Sequence, residues 1–315
     1  MTSAGDNTQL KSVVLPNFLI VGAAHAGTTS LYFYLRQHPE IFMPTDPKNK
    51  EPMYFVSADA PIKDLDTYLQ LFRGAQGKKA IGEASTAYLY CEESPARIKS
   101  VLGRIKIIII LRDPAKRAFS NYNWMIRQGW EDAATFEEGL RRESVRRDDP
   151  HFRDHCLANY LDDYLYFSTG LYFQQVKRYV ETFGKERVRI YLFEEFVKNP
   201  QAVCHDIFDF LGVDSIFTPV ISVYNEGRRP LSVTLQSWVQ GVAMGRKTCH
   251  PLRLVPKAHR GMLLRQIKNV NAHWGKKLHI SPIMYQQLSQ RYLPDIKKLE
   301  ELLGRDLSVW YGQSE

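Results

Sequence analysis

Four short apolar runs punctuate the chain: NFLIV at residues 17–21, KKAIGE at 78–83, IKIIIIL at 105–111 and VRIYLF at 188–193. Such runs, rich in Ile, Val and Leu and bounded by Gly, Asp or other polar residues, read as strands buried on both faces. Between them the period changes. SLYFYLRQH and LYFQQVKRYVETF place apolar side chains three and four residues apart, as an amphipathic helix requires. Strands alternating with helices predict an α/β fold, a doubly wound and mainly parallel sheet with helices on both faces. Ligands of such sheets bind beyond the carboxyl ends of the strands. The polar residues that interrupt the apolar runs fall there: the loop at residues 22–30, Glu83, and Arg112 in LRDPAKRAFSNYNW.

The first of these ends carries the clearest chemistry. GAAHAGTTS, between a strand and a helix, directs backbone N–H groups and the positive end of a helix dipole at one point, which suits an anion. Gly22 and Gly27 match the glycines of the triphosphatase loop G-x-x-x-x-G-K-[ST]. Thr28 stands where its Lys belongs, and Thr29 follows. The fold is therefore P-loop-like, and a P-loop kinase or triphosphatase, which uses that Lys on the β/γ-phosphates, is disfavoured.

At 315 residues and 44% hydrophobic content the chain can bury a full core. No Pro/Ser/Gly linker divides it, so a polar tail over residues 1–14 and a single domain over 15–315 are expected. The opening MTSAGDNTQLKS has no apolar segment of signal-peptide type, and the longest uninterrupted apolar run, IIIIL, is too short to span a bilayer. A soluble, cytoplasmic protein without membrane contact is expected. Cys91, Cys156, Cys204 and Cys249 lie far apart and form no C-x-x-C pair. His151, His155 and Cys156 in HFRDHC lack a second ligand cluster, so no metal is expected. A formal charge of +8 favours an anionic ligand, but the basic residues are dispersed and no nucleic-acid motif accompanies them. LRRESVRR at 140–147 reads as a solvated helix face, and His38 before Pro39 as a helix terminator. The basic segment 245–269 reads as an acceptor lid or a surface excursion. Taken singly, Glu83 is an ordinary strand-end carboxylate, and Arg112 a partner for Asp113 or Asp132.

Taken together, the segments resemble sulfotransferases that use 3′-phosphoadenosine 5′-phosphosulfate (PAPS), from about residue 17 to the C-terminus. FLIVGAAHAGTTSLYFYLRQHPEIFMP is similar to the family's 5′-phosphosulfate loop and helix, and LRDPAKRAFSNYNW to its 3′-phosphate segment. KEPMYF at 50–55 and GEASTAYLY at 82–90 resemble the glycan or heparan sulfate branch, and NEGRRP at 225–230 resembles the loop that closes over the 3′-phosphate. The later segments STGLYFQQVKRYVETFGKERVRIYLFEEFVKNP and YLPDIKKLEELLGRDLSVW resemble the family as well.

The resemblance implies transfer of a sulfuryl group from PAPS to a hydroxyl or nitrogen on a small molecule or glycan, releasing adenosine 3′,5′-bisphosphate without a metal. It assigns the cofactor to Ala24, His25, Ala26, Gly27, Thr28, Thr29 and Ser30 on the 5′ side. Arg112, Ser120, Tyr172, Gly227, Arg228 and Arg229 take the remainder. Glu83 is implied as the general base, with His25 and Lys50 stabilising charge on the transferring group and leaving phosphate. His25 is the departure, because the family has Lys there, donating to the oxygen that bridges phosphate and sulfate. Neutral imidazole donates one hydrogen bond without charge, and the imidazolium donates and is cationic. The change reads as natural tuning, an engineered substitution that slows turnover, or a mark of a weakened or non-catalytic nucleotide-binding relative.

Overall fold

The computed structural model describes residues 14–46, 49–56, 60–152, 161–222, 231–243, 255–273 and 279–312. Five strands form one sheet: β1 (Phe18–Gly22), β2 (Ile41–Phe42), β3 (Ala80–Ala84), β4 (Lys106–Leu111) and β5 (Val188–Leu192). They lie in the order β2-β3-β1-β4-β5, and every pairing is parallel. The apolar runs thus become the four main strands, each within two residues of the sequence reading. β2 was not foreseen, because two residues in EIFMP carry no periodicity. It forms because Ile41 and Phe42 fall beside Ala80 and Ile81.

The strand sequences explain their positions. β1 and β3 are buried throughout, and Leu19, the second residue of β1, sits between Glu83 and Ile107 in register. A strand shielded on both faces needs no polar alternation, which is why KIIIIL reads as one continuous apolar run. Glu83 is the exception on β3, a carboxylate carried into the interior by its strand.

The helices are α1 (Thr28–Leu35), α2 (Leu65–Gln70), α3 (Ala87–Tyr90), α4 (Ser94–Leu102), α5 (Pro114–Gln128) and α6 (Phe136–Asp148) in the first half. They continue with α7 (Tyr172–Phe183), α8 (Phe193–Lys198), α9 (Pro200–Leu211), α10 (Val233–Ala243), α11 (Lys257–His273) and α12 (Pro282–Leu303). α5 begins where LRDP ends β4. Asp113 caps it, Oδ1 accepting from the amides of Ala115 (2.9 Å) and Lys116 (3.1 Å), and Pro114 occupies the first turn, where no amide is needed. α7 buries Tyr172, Gln175, Val176, Tyr179 and Phe183 along one stripe.

α6 differs from the solvated face expected of LRRESVRR. Arg146 is buried and donates both terminal nitrogens to the two carboxylate oxygens of Glu131 at 2.6 Å. Glu143, also buried, accepts from the amides of Phe167 (2.6 Å) and Ser168 (2.8 Å). Tertiary pairing therefore turned two charges of a surface-like sequence inward. His38 is structural, as read. Its Nδ1 accepts from the Glu40 amide at 3.1 Å, so its Nε2–H donates to the Asp214 carbonyl at 2.8 Å, between the rings of Phe208 and Phe217. Within segment 245–269, residues 245–254 lie outside the described residues. Residues 257–269 belong to α11, which packs on α10 and whose Asn271 donates to the Ser232 carbonyl (2.8 Å) and Gln236 Oε1 (2.7 Å). Among the described residues no helix is long and apolar enough to cross a membrane.

Candidate active site

A cleft of about 1810 Å³ opens at the carboxyl ends of the strands. Its size exceeds the several hundred Å³ of a usual small-molecule pocket and suits a nucleotide together with a second reactant. The loop after β1 contributes Ala24, His25, Gly27, Thr28, Thr29 and Ser30 to its lining. Gly27 takes φ +88°, and a Cβ there would meet the Phe193 ring at 3.1 Å, so both backbone conformation and space call for glycine. α1 starts immediately after it without a side-chain cap. The Leu31 amide is the first to bond back, to Gly27 at 3.1 Å. The amides of Thr28, Thr29 and Ser30 therefore have no acceptor within the helix, which leaves an anion cradle. Ala26 is fully buried and does not reach the cleft by its side chain.

After β4, Arg112 faces the same space. Its Nη1 donates to the His25 carbonyl at 2.9 Å, and the guanidinium stands 4.6 Å from the centroid of Phe193. It makes no ion pair with Asp113 or Asp132. Asp113 caps α5 and accepts from the Tyr285 hydroxyl at 2.7 Å, while Asp132 pairs with Arg142 at 2.7 Å. Tyr172 lies behind Arg112, fully buried and off the cleft, donating its hydroxyl to the Arg112 carbonyl at 3.0 Å. It braces the arginine from behind. Gly227, Arg228 and Arg229 of NEGRRP lie outside the described residues.

α5 presents a whole stripe to the cleft. Lys116, Phe119, Ser120, Asn123, Trp124 and Arg127 line it, recurring at three- and four-residue steps. Arg117 and Asn121 reach it from the buried side of the helix. Only Ser120 had been singled out in the sequence; carrying the helical period forward from it finds Asn123, Trp124 and Arg127.

His25 takes φ 64° and stacks at a tilt on Trp124, ring centroids 5.4 Å apart. Desolvation, then the positive charges of Arg117, Arg112 and Arg127, push its pKa down to about 3, with the Asn121 side chain opposing weakly. With respect to the protein's own groups the imidazole is neutral at pH 7.

Glu83 and Glu51 differ in their access to the cleft. Glu83 is fully buried and does not line the cleft. Neither carboxylate oxygen has a hydrogen bond of good geometry, although Ser85, Tyr88 and Tyr68 surround it. Burial pushes its pKa up to about 8, the Ser85 and Tyr88 hydroxyls oppose, and the charge of Glu51 adds to the rise. Glu51, one residue along KEPMYF, does line the cleft. Its Oε1 accepts from Lys50 Nζ at 2.6 Å, and its Oε2 from the Thr86 amide (3.2 Å) and hydroxyl (2.8 Å). Lys50 does not line the cleft; it stands behind Glu51, 6.0 Å from the Tyr32 ring centroid. The signal missed in the sequence was the neighbouring Lys50, whose side chain pairs with the carboxylate.

Beyond Glu51 the cleft continues to Asp162 and Asp163 on a 3-10 turn (Leu161–Tyr164), with Met53, Tyr90 and Trp130. Among the described residues no group of three or more His, Cys, Asp or Glu is disposed to hold a metal ion; His155 and Cys156 are outside them.

The sulfotransferase domain family matches residues 15–224. A sulfotransferase from Alicyclobacillus acidocaldarius of known structure is 32% identical, with 95% of this chain and 99% of that one covered and a TM-score of 0.70. The membrane-associated sulfotransferase kil1 of Dictyostelium discoideum is 24% identical over 65% of this chain and 58% of its own length. Bifunctional heparan sulfate N-deacetylase/N-sulfotransferase 4 of Mus musculus is 28% identical over 63% of this chain and 22% of its own length. This chain thus spans between a fifth and three-fifths of these two curated relatives. The chain belongs to the sulfotransferase domain family, a family of transferases with a P-loop-like α/β fold.

Proposed function

We propose that the protein transfers a sulfuryl group from PAPS to an acceptor held at the Glu51 end of the cleft. One observation supports this most: a helix N-terminus without a triphosphatase Lys and a cleft-lining carboxylate share one cavity large enough for two reactants. The amides and hydroxyls of Thr28 and Thr29 hold the 5′-phosphosulfate, and Arg112 with Ser120 holds the 3′-phosphate. The acceptor oxygen forms a bond to sulfur as the bond from sulfur to the bridging phosphate oxygen breaks. The acceptor proton passes to the carboxylate, and adenosine 3′,5′-bisphosphate leaves with the bond's electron pair.

Glu51 suits the role of base better than Glu83. It faces the cleft, and Lys50 and Thr86 hold it in place. Glu83 is out of reach, and with a pKa of about 8 it carries its proton at neutral pH. The neutral His25 imidazole donates one N–H to the bridging oxygen, and Arg112, Arg117 and Arg127 supply the positive charge that a Lys would bring. The bound phosphosulfate acts on His25 in the opposite sense to these arginines. The depressed pKa of His25 also favours a second reading, a slow enzyme or a nucleotide-binding relative. Incubating the protein with PAPS and resolving adenosine 3′,5′-bisphosphate by chromatography tests transfer. Calorimetry with adenosine 3′,5′-bisphosphate against adenosine 5′-monophosphate tests the 3′-phosphate site, and equal affinities would exclude it.

A further inference from the structure

Residues 51–56 lie as a strap across the junction of β3 and α3, held by three side chains of GEASTAYLY. Thr86 bonds to the Glu51 carboxylate, Ser85 Oγ accepts from the Met53 amide at 3.0 Å, and the Tyr88 hydroxyl accepts from the Phe55 amide at 3.4 Å. Ser94 Oγ adds a bond to the Phe55 carbonyl at 2.9 Å, and Tyr54 stacks on Tyr68 with centroids 4.8 Å apart. Met53 lines the cleft and takes φ 52°. A non-glycine residue keeps that conformation only where its surroundings hold it.

Glu83 is buried beside these fixing points, and its unmet bonds match theirs. Both of its carboxyl oxygens lack a bond of good geometry, as does the Tyr68 hydroxyl. Ser85 and Tyr88, fully buried, spend their oxygens as acceptors for the strap amides and keep their own O–H protons to donate. Both hydroxyls act on the Glu83 carboxyl. The charged and titratable groups that face it are Tyr68 of α2, Tyr88 of α3, Tyr179 of α7, and Lys50 and Glu51. Of these Lys50 is the cation, and its ammonium bonds to Glu51 instead. A neutral carboxyl fits among these hydroxyls, whereas a carboxylate there is a buried charge without a counterion. Burial pushes the Glu83 pKa up to about 8, so the neutral form prevails at pH 7 and gives way above pH 8.

We propose that Glu83 is a positioning residue for Glu51: its protonated carboxyl, acting through Ser85 and Tyr88, anchors the strap that carries Glu51, and its ionisation loosens the strap and slows transfer. This rests on the reading of Glu51 as the base. Cofactor binding, which uses other elements of the cleft, is left unchanged.

The test follows the strap and the reaction separately across pH 7 to 9 in the full chain. Hydrogen exchange of the Met53 and Phe55 amides, corrected for the intrinsic rise of exchange with pH, reads the strap. Release of adenosine 3′,5′-bisphosphate from PAPS reads transfer, with N-acetylglucosamine as an uncharged hydroxyl acceptor. In the parent both protection and kcat should fall about tenfold by pH 9, as one ionisation near pH 8 requires, while affinity for adenosine 3′,5′-bisphosphate holds. Glu83→Gln, neutral at every pH, should abolish both declines. Ser85→Ala should lose Met53 protection already at pH 7. Because the Ser85 hydroxyl opposes the rise of the Glu83 pKa, this variant should also move the fall in Phe55 protection to higher pH. Should Glu83→Gln not fold, the position of that transition in Ser85→Ala decides. Protection that does not change with pH in the parent, declines that persist in Glu83→Gln, or an unmoved transition in Ser85→Ala overturns the proposal. If the parent releases no adenosine 3′,5′-bisphosphate, or Glu51→Gln releases it undiminished, what falls is the reading of Glu51 on which the proposal rests.

Discussion

At one end of the cleft the unpaired amides of α1 stand beside Arg112, Arg117 and Arg127; at the other, Glu51, Asp162 and Asp163 gather near Trp130 and Tyr90. The same burial acts on both ends and does opposite things to their acids and bases. At the phosphate end it lowers His25 to about 3, and at the carboxylate end it raises Asp163 to about 7 and the deeper Glu83 to about 8. In each case desolvation is the largest cause, and like charges add to it. A protein surface screens such crowding, whereas a cleft conserves it for a ligand of the complementary sign. The two ends thus differ in the sign of the charges that line them.

The largest effect expected from breaking this contrast is loss of the base. Glu51→Gln should reduce PAPS-dependent transfer about 10²–10⁴-fold and leave adenosine 3′,5′-bisphosphate binding intact, read by single-turnover kinetics and calorimetry. Glu83→Gln should retain far more activity. A Glu83 variant that is the more damaged of the two while still folded would return the role of base to β3.

Next in size is the phosphate end. Arg112→Ala should weaken adenosine 3′,5′-bisphosphate by about 1.5–3 kcal/mol, the range for a charge-assisted hydrogen bond, and adenosine 5′-monophosphate much less. Titration calorimetry reads the difference, and an equal loss for both nucleotides would make Arg112 a support of the loop through the His25 carbonyl alone.

Buried ionisation also leaves a signature in stability, with opposite signs at the two ends. Glu83 has a folded pKa of about 8 against 4.5 unfolded. The folded state therefore holds the extra proton between these values, and stability falls as pH rises from about 4.5 to 8. Glu83→Gln should flatten that decline in urea unfolding measured at a series of pH values. His25 works the other way. With a folded pKa of about 3 against 6.5, the unfolded state takes up the proton first, so stability falls as pH drops below about 6.5. His25→Gln should remove this acid-side loss, and a loss that persists unchanged would place its origin elsewhere.

The smallest expected effect separates the roles of imidazole and imidazolium. In the free protein the His25 ring signals in proton–carbon NMR should not titrate between pH 5 and 8. Transfer should show no alkaline decline attributable to His25 unless the phosphosulfate lifts its pKa into that window. A clear titration near ~6.5, the ordinary histidine value, would contradict the neutral assignment.

Much of the fold was legible in the residues themselves. KIIIIL and FLIVG are apolar without alternation, which only a doubly covered strand accommodates, and GAAHAGTTS between a strand and a helix names its own anion cradle. Asp113 and Pro114 mark the start of α5, whose period already contains the stripe from Lys116 to Arg127. β2 was invisible because two residues make no period. Arg146 and Glu143 were misread because charge in a helix looks alike whether it meets water or a buried partner.

The choice between Glu51 and Glu83 shows where sequence ends. Both are acids beside segments of the right kind, and local pattern fixes that each exists and lies near a strand end. Whether a carboxylate faces a cleft or the inside of a sheet depends on pleat direction and on what packs over it, from residues far away in the chain. Tyr88 and Tyr68 seal Glu83 from one side, and Thr86 and Lys50 turn Glu51 outward. The electrostatic influence of Glu51 on Asp163, over a hundred positions apart, is of the same kind. The sequence by itself determined the strands, the glycine-bearing turn between β1 and α1, and the family; the tertiary structure decided which buried charges act on one another, because desolvation and Coulomb interaction depend on distance in space and not along the chain.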